Sequence, residues 1–200
     1  FDAAREIDPA YAEELDRARS AGFDPLTVDV EAIETQALGG DLDGAAKALA
    51  KARARLGESA NASYLAGLIE DLRGNFEQAV ELYEKARAAE PGHAAATFRL
   101  AYCLDLHGDE AAAIELYKEC LAAPPVCAGA LLNLAVLYED AGQYDAAALC
   151  LQRLLAAQPG HLRAKLFLKD VEASRTMYFD EEQAKRLAKR NAVLDIPVTD

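Results

Sequence analysis

The sequence predicts an all-α solenoid, a row of antiparallel helix pairs. Three observations predict it. Ala is abundant, Trp is absent and β-branched residues are sparse, a composition that favours helices over strands. Gly40, Gly74, Gly108 and Gly142 recur at one fixed interval of 34 residues. Ala45, Ala79, Ala113 and Ala147 keep the same interval, so the period belongs to a repeating unit and not to one residue type.

Each element follows from that period. Asp8, Pro9 and the run to Ala21 predict a capped leading helix within residues 1–25. Four repeats then span 26–59, 60–93, 94–127 and 128–161. The third shows the pattern plainly. Thr97, Leu100, Ala101 and Leu104 fall on one helical face. Gly108 permits a turn with positive φ, and Asp109 is placed to cap the helix that follows. Ala113, Leu116, Tyr117 and Cys120 make the second face, and Pro124 and Pro125 end it. Small residues at Ala101 and Ala113 let the two helices approach closely, as do Gly67 with Ala79 and Ala135 with Ala147. Beyond Pro159 a degenerate pair is expected over 162–193, with helices at Leu162–Arg175 and Asp180–Ala192. Lys169 and Glu181 stand there where small residues should meet, which suits a wetted end.

A recurring phrase, AAEPGHAAA at Ala88–Ala96 and AAQPGHLRA at Ala156–Ala164, carries two of the three histidines. Its prolines and glycines read as helix punctuation, which puts His93 and His161 in loops two repeats apart, too far from one another to share a metal.

The small residue at Gly67, Ala101 and Ala135, the turn glycine, the alanine five later, the bulky residue at Leu49, Tyr83, Tyr117 and Leu151 and the closing proline together resemble the tetratricopeptide repeat (TPR) family. The first repeat departs by closing on Gly57 and by carrying Ile33 at a small-residue position. The resemblance implies a TPR solenoid wound as a right-handed superhelix, a non-catalytic scaffold whose first helices line a concave groove that holds a peptide or helix of a partner protein. The groove positions are Tyr64, Leu65, Leu68 and Leu72; Phe98, Arg99, Tyr102 and Leu106; Leu132, Asn133 and Val136; and Arg163, Leu166 and Phe167. Asp71, Asp105 and Glu139, again one period apart, form an acidic ladder beside it. That favours a partner with apolar and basic residues. Too few cations line the groove for it to clamp an acidic tail.

Other classes are disfavoured. A net charge of −13 makes a poor ligand for nucleic acid or anionic lipid. No apolar run is long enough to span a membrane. No phosphate loop, GxSxG, HExxH or metal-spaced Cys/His cluster occurs, so no enzyme, catalytic residue, metal or cofactor is expected. Cys103, Cys120, Cys127 and Cys150 read as small core residues of a reducing compartment, and the expected location is cytoplasmic. The final AVLDIPVTD is similar to the lead-in of the C-terminal domain of the bacterial RNA polymerase α subunit. It implies residues 194–200 as a linker and, as the alternative function, a regulatory or oligomerising arm of a bacterial transcription-associated protein.

Overall fold

The computed structural model describes residues 25–122 and 127–194. Among them every regular element is an α-helix: α1 (Pro25–Leu38), α2 (Leu42–Leu56), α3 (Ala60–Leu72), α4 (Phe76–Ala89), α5 (Ala94–Leu106), α6 (Glu110–Cys120), α7 (Ala128–Asp140), α8 (Tyr144–Ala157) and α9 (Leu162–Leu194). The chain divides into two compact units between Leu116 and Tyr117, inside α6. The expected leading helix at Asp8–Ala21, the prolines Pro124 and Pro125, and the lead-in that follows Leu194 lie outside the described residues.

In the first unit α1 packs on α2 and α3, α3 on α4, and α4 on α5. In the second, α7 packs on α8 and α8 on α9. Ala45, Ala79, Ala113 and Ala147, five residues after the turn glycines, are each 0% exposed. The turn glycines have φ of 91°, 83°, 84° and 69°, a region where a side chain crowds the next carbonyl. The spacing is therefore a backbone requirement written as a residue type. Gly67 of α3 meets the Tyr83 ring of α4, where an added β-carbon would stand 2.8 Å from two ring carbons. Tyr83 and Ala86 are fully buried behind that contact, and burying one large apolar side chain is worth about 1.5–3 kcal/mol.

A second series explains the recurring PGH phrase. Ser59, His93, Cys127 and His161 stand one period apart. Three of them hydrogen-bond the first turn of α3, α5 and α9. Ser59 Oγ accepts from the Ala62 N–H at 3.1 Å, His93 Nδ1 from Ala96 at 3.1 Å and His161 Nδ1 from Ala164 at 3.2 Å. Histidine thus does what Ser, Asp or Asn does elsewhere, satisfying an amide that the helix leaves without a carbonyl. Because Nδ1 accepts, the proton sits on Nε2, which reaches Asn61 Oδ1 at 2.9 Å. Cys127 holds the same place before α7 but makes no side-chain cap bond. Asp41 and Asp109 cap the second helices α2 and α6 in the same way, at 3.0 and 3.2 Å.

The C-terminal pair expected over 162–193 is instead one continuous helix, α9, of 33 residues. The next turn glycine is due at 176, and Thr176 stands there. No Gly or Pro interrupts Leu162–Leu194, and Thr176 Oγ1 bonds back to the Glu172 carbonyl at 2.9 Å within the helix. Without a residue suited to positive φ the chain does not turn.

Two predictions follow from this packing. Gly67→Ala should lower stability by about 1–3 kcal/mol through overpacking, whereas Gly92→Ala, with nothing within 4 Å of its added carbon, should be near neutral. Equal urea midpoints for the pair would refute the tight crossing. Cys127→Ser should raise the midpoint by supplying the missing cap, by about 0.5–1 kcal/mol, while His93→Ala should cost about 1–2 kcal/mol and His93→Asn less.

Candidate partner-binding surface

The predicted groove residues separate into those that build the stack and those left on its surface. In the first unit, Tyr64 and Leu68 are 2% and 0% exposed, and Leu65 is buried with them. They are core residues and cannot anchor a partner, which corrects the expectation. The reason is the neighbouring first helix: α1 packs against α3, and the Tyr64 hydroxyl donates to Glu34 of α1. The Tyr64 ring also lies 6.1 Å from that of Tyr83 and 5.2 Å from that of His93.

Asp71, the first rung of the expected acidic ladder, is likewise engaged. It accepts from the Tyr83 hydroxyl at 3.2 Å. Arg99 of α5 brings Nη1 to 4.0 Å from it, with both side chains one-fifth exposed. Asp71 and Arg99 therefore tie α3 to α5. Burial, reinforced by Glu34 and Asp71 respectively, pushes the Tyr64 and Tyr83 hydroxyls well above the usual phenol range. Burial, then Asp71, pushes the Cys103 thiol up to about 12. Near neutral pH this is a seam of protonated hydroxyls and thiol beside two carboxylates, Glu34 and Asp71, and one guanidinium. Neither phenol nor the thiol is poised as a nucleophile.

At the surface of this unit Phe98 and Tyr102 are half-buried, and Leu106 is 64% and Leu72 41% exposed. Phe98, Tyr102 and Leu106 succeed one another along one side of α5, with Asp105 beside them.

In the second unit, Asn133 donates from Nδ2 to the Tyr117 hydroxyl at 2.7 Å. That bond uses one N–H of the amide and leaves the second N–H and Oδ1 to face a partner. Leu132 and Phe167 are half-buried against the core of α7, α8 and α9. Val136 is 39% exposed, and Glu139, whose carboxylate takes a long bond of 3.5 Å from Ser174, lies in the next turn with the exposed Asp140. Arg163 and Leu166 are exposed on α9. The structure thus keeps an apolar strip bordered by acids on each of α5 and α7.

One feature escaped the sequence. A depression of about 650 Å³ lies between α2, α3 and α4, with Leu49, Ile69 and Leu82 in its floor and Arg53, Arg73 and Glu81 around it. Among the described residues no group of three His, Cys, Asp or Glu is placed to hold a metal ion, and no helix is long and apolar enough to cross a membrane.

Sequence models of the tetratricopeptide repeat match residues 39–85, 73–126 and 106–169. No curated protein matches the sequence at a comparable level. Solved structures share the fold. A crystal structure of MamA aligns with a TM-score of 0.58 at 22% identity, over 78% of this chain and 95% of that one. PilF of Pseudomonas aeruginosa aligns at 0.66 and 18% identity, over 80% and 75%. The C-terminal part of a TPR repeat-containing protein from Cytophaga hutchinsonii aligns at 0.60 and 12%, over 82% and 65%. At such identities these structures speak to the fold alone. Repeats of this kind are in general non-catalytic scaffolds for protein–protein interaction. Helix pairs closed by a small residue, turn glycines at one period, and sequence matches that run on from 39 to 169 lead to one conclusion: the chain belongs to the tetratricopeptide repeat family.

Proposed function

We propose that the chain is an interaction scaffold that binds apolar side chains of a partner protein at two separate strips, one in each compact unit. The first is Phe98, Tyr102 and Leu106 on α5. The second is Leu132 and Val136 on α7. The observation that carries the reading is the 64% exposure of Leu106 beside the half-buried Tyr102. Apolar area is left wet here at a place the stack does not use, and aromatic residues of this kind dominate protein interfaces. Tyr102 pairs a broad apolar ring with a hydroxyl, so it can fill a pocket and still satisfy its polar end.

The preferred partner segment carries Lys or Arg next to its apolar anchors. Acids border each strip, Asp105 in the first and Glu139 and Asp140 in the second, on a chain of net charge −13. That charge steers a basic segment in and repels an acidic one.

The test is selection of peptides on the purified chain followed by affinity measurement. The selected peptides should combine apolar anchors with basic residues and bind more weakly as salt rises. Tyr102→Ala should weaken binding by about 2 kcal/mol, roughly thirtyfold, with little change in melting temperature. Asp140→Lys should chiefly slow association at the second strip. Selected peptides that ignore Tyr102, Leu106 and Val136 alike would remove both strips from the proposal.

A further inference from the structure

The last helix presents a face that no part of the described chain covers. Ala164, Phe167, Leu168 and Val171 of α9 pack on the core of the second unit. Arg175 pairs with Asp145 at 3.0 Å, and the Tyr178 ring lies 5.8 Å from that of Tyr144, the first residue of α8. Tyr178 therefore marks where α9 passes the end of its neighbour. On the opposite side of α9, Leu162 is 67%, Leu166 57% and Met177 66% exposed, with the exposed Ala173 between them. These four residues fall in one stripe at helical spacing. Leu166 stands one period after Leu132 and two after Phe98, so the stripe continues the groove side of the first helices, and α9 runs on past the missing turn with it uncovered by any described residue.

We infer that the stripe is covered by α9 of a second copy of this chain, lying antiparallel about a two-fold axis. The occupant is argued from charge. From Leu162 to Lys169 the helix carries Arg163, Lys165 and Lys169 and no acid, whereas Asp180, Glu181 and Glu182 follow one another further on. A two-fold pairing that sets Leu166 level with the second copy's Met177 brings Arg163 level with Asp180 and next to Glu181, and Lys165 within reach of Asp180 on the other flank. Symmetry makes each of these contacts twice. A parallel pairing would set basic against basic and acidic against acidic. Within its own chain Glu181 meets Lys185 at only 3.9 Å, with both side chains 67% exposed, and that weak contact does not compete with docking. Asp170, next to the axis, faces its own copy and is the one like-charge contact. The stripe from Leu162 to Glu181 is about 30 Å long. A contact of that size belongs with weak, reversible interfaces, with a dissociation constant on the order of 1–100 µM. This surface is separate from the strips on α5 and α7, so either proposal can fail without the other.

Sedimentation equilibrium of the whole chain, from micromolar to millimolar concentration, tests it. The expected result is a monomer–dimer equilibrium. Leu166→Glu with Met177→Glu should abolish it while leaving helicity and melting unchanged, because both side chains are already in water. Arg163→Glu with Lys165→Glu should weaken the dimer by at least about tenfold, and adding Asp180→Lys and Glu181→Lys to the same chain should restore it. Asp170→Asn should tighten it by roughly a few-fold. A chain that stays monomeric throughout overturns the inference. So does a dimer indifferent to the charge reversal, or one that the second reversal fails to restore.

Discussion

Where α3 crosses α4 there is room for a hydrogen atom and none for a methyl group. Gly67 lies against the face of Tyr83, and Ala79 is sealed beside it. Everything else in the repeat depends on this proximity. Two helices that approach so closely bury the large residues on either side of the crossing completely, as Tyr83 and Leu68 are buried. Dispersion contacts are made at full strength only when no gap remains. The turn glycine serves the same end, because a short turn with positive φ is what returns the second helix at that distance. Period, turn and small residue are therefore one constraint seen at three positions.

That constraint is why so much of the fold was legible. A glycine forced by backbone conformation, or an alanine forced by a close crossing, leaves its mark in the residue itself, and the mark repeats. The candidate surface was less legible because groove positions are defined by what the neighbouring helix does. Leu68 and Tyr102 hold equivalent places along α3 and α5, one period apart. Yet Leu68 is sealed in the stack, while Tyr102 is half-buried. No local pattern distinguishes them. The bond of Asn133 was hidden for a related reason, since its partner Tyr117 belongs to the preceding helix and reaches it only through the fold. The histidine caps were visible as a period running through Ser59, His93, Cys127 and His161. Histidine is an uncommon cap, however, and its imidazole suggests chemistry before it suggests punctuation.

The polar seam between the first helices shows how an acidic chain tolerates charge inside a stack. Asp71 is not left alone: a phenol, a thiol and a guanidinium converge on it. The phenol and thiol beside it are held neutral by burial, so its charged neighbour is the Arg99 guanidinium. Removing Arg99 alone would leave a partly buried carboxylate without its counter-charge, which costs more than the pair contributes. The seam therefore specifies which first helix follows which, a role for polar residues that an apolar contact would fill less selectively.

Departures from the period carry a different kind of information. Inside the array a position that must be small or must be glycine has little freedom, so its identity reports on the stack. Thr176 in place of the turn glycine, Lys169 and Glu181 in place of the paired small residues all fall on α9. There the stacking constraint has lapsed. A lapsed constraint by itself predicts a uniformly polar face, because nothing then opposes solvation. α9 has the lysines and glutamates such a face needs, yet it keeps Leu162, Leu166 and Met177 in water along one line. Leu166 stands one period after Leu132 and two after Phe98, so this line continues the groove side of the first helices. Its apolar character beyond the lapsed turn, with Arg163, Lys165 and Lys169 gathered at one end and Asp180 to Glu182 further along, is the property of a surface that is met by another.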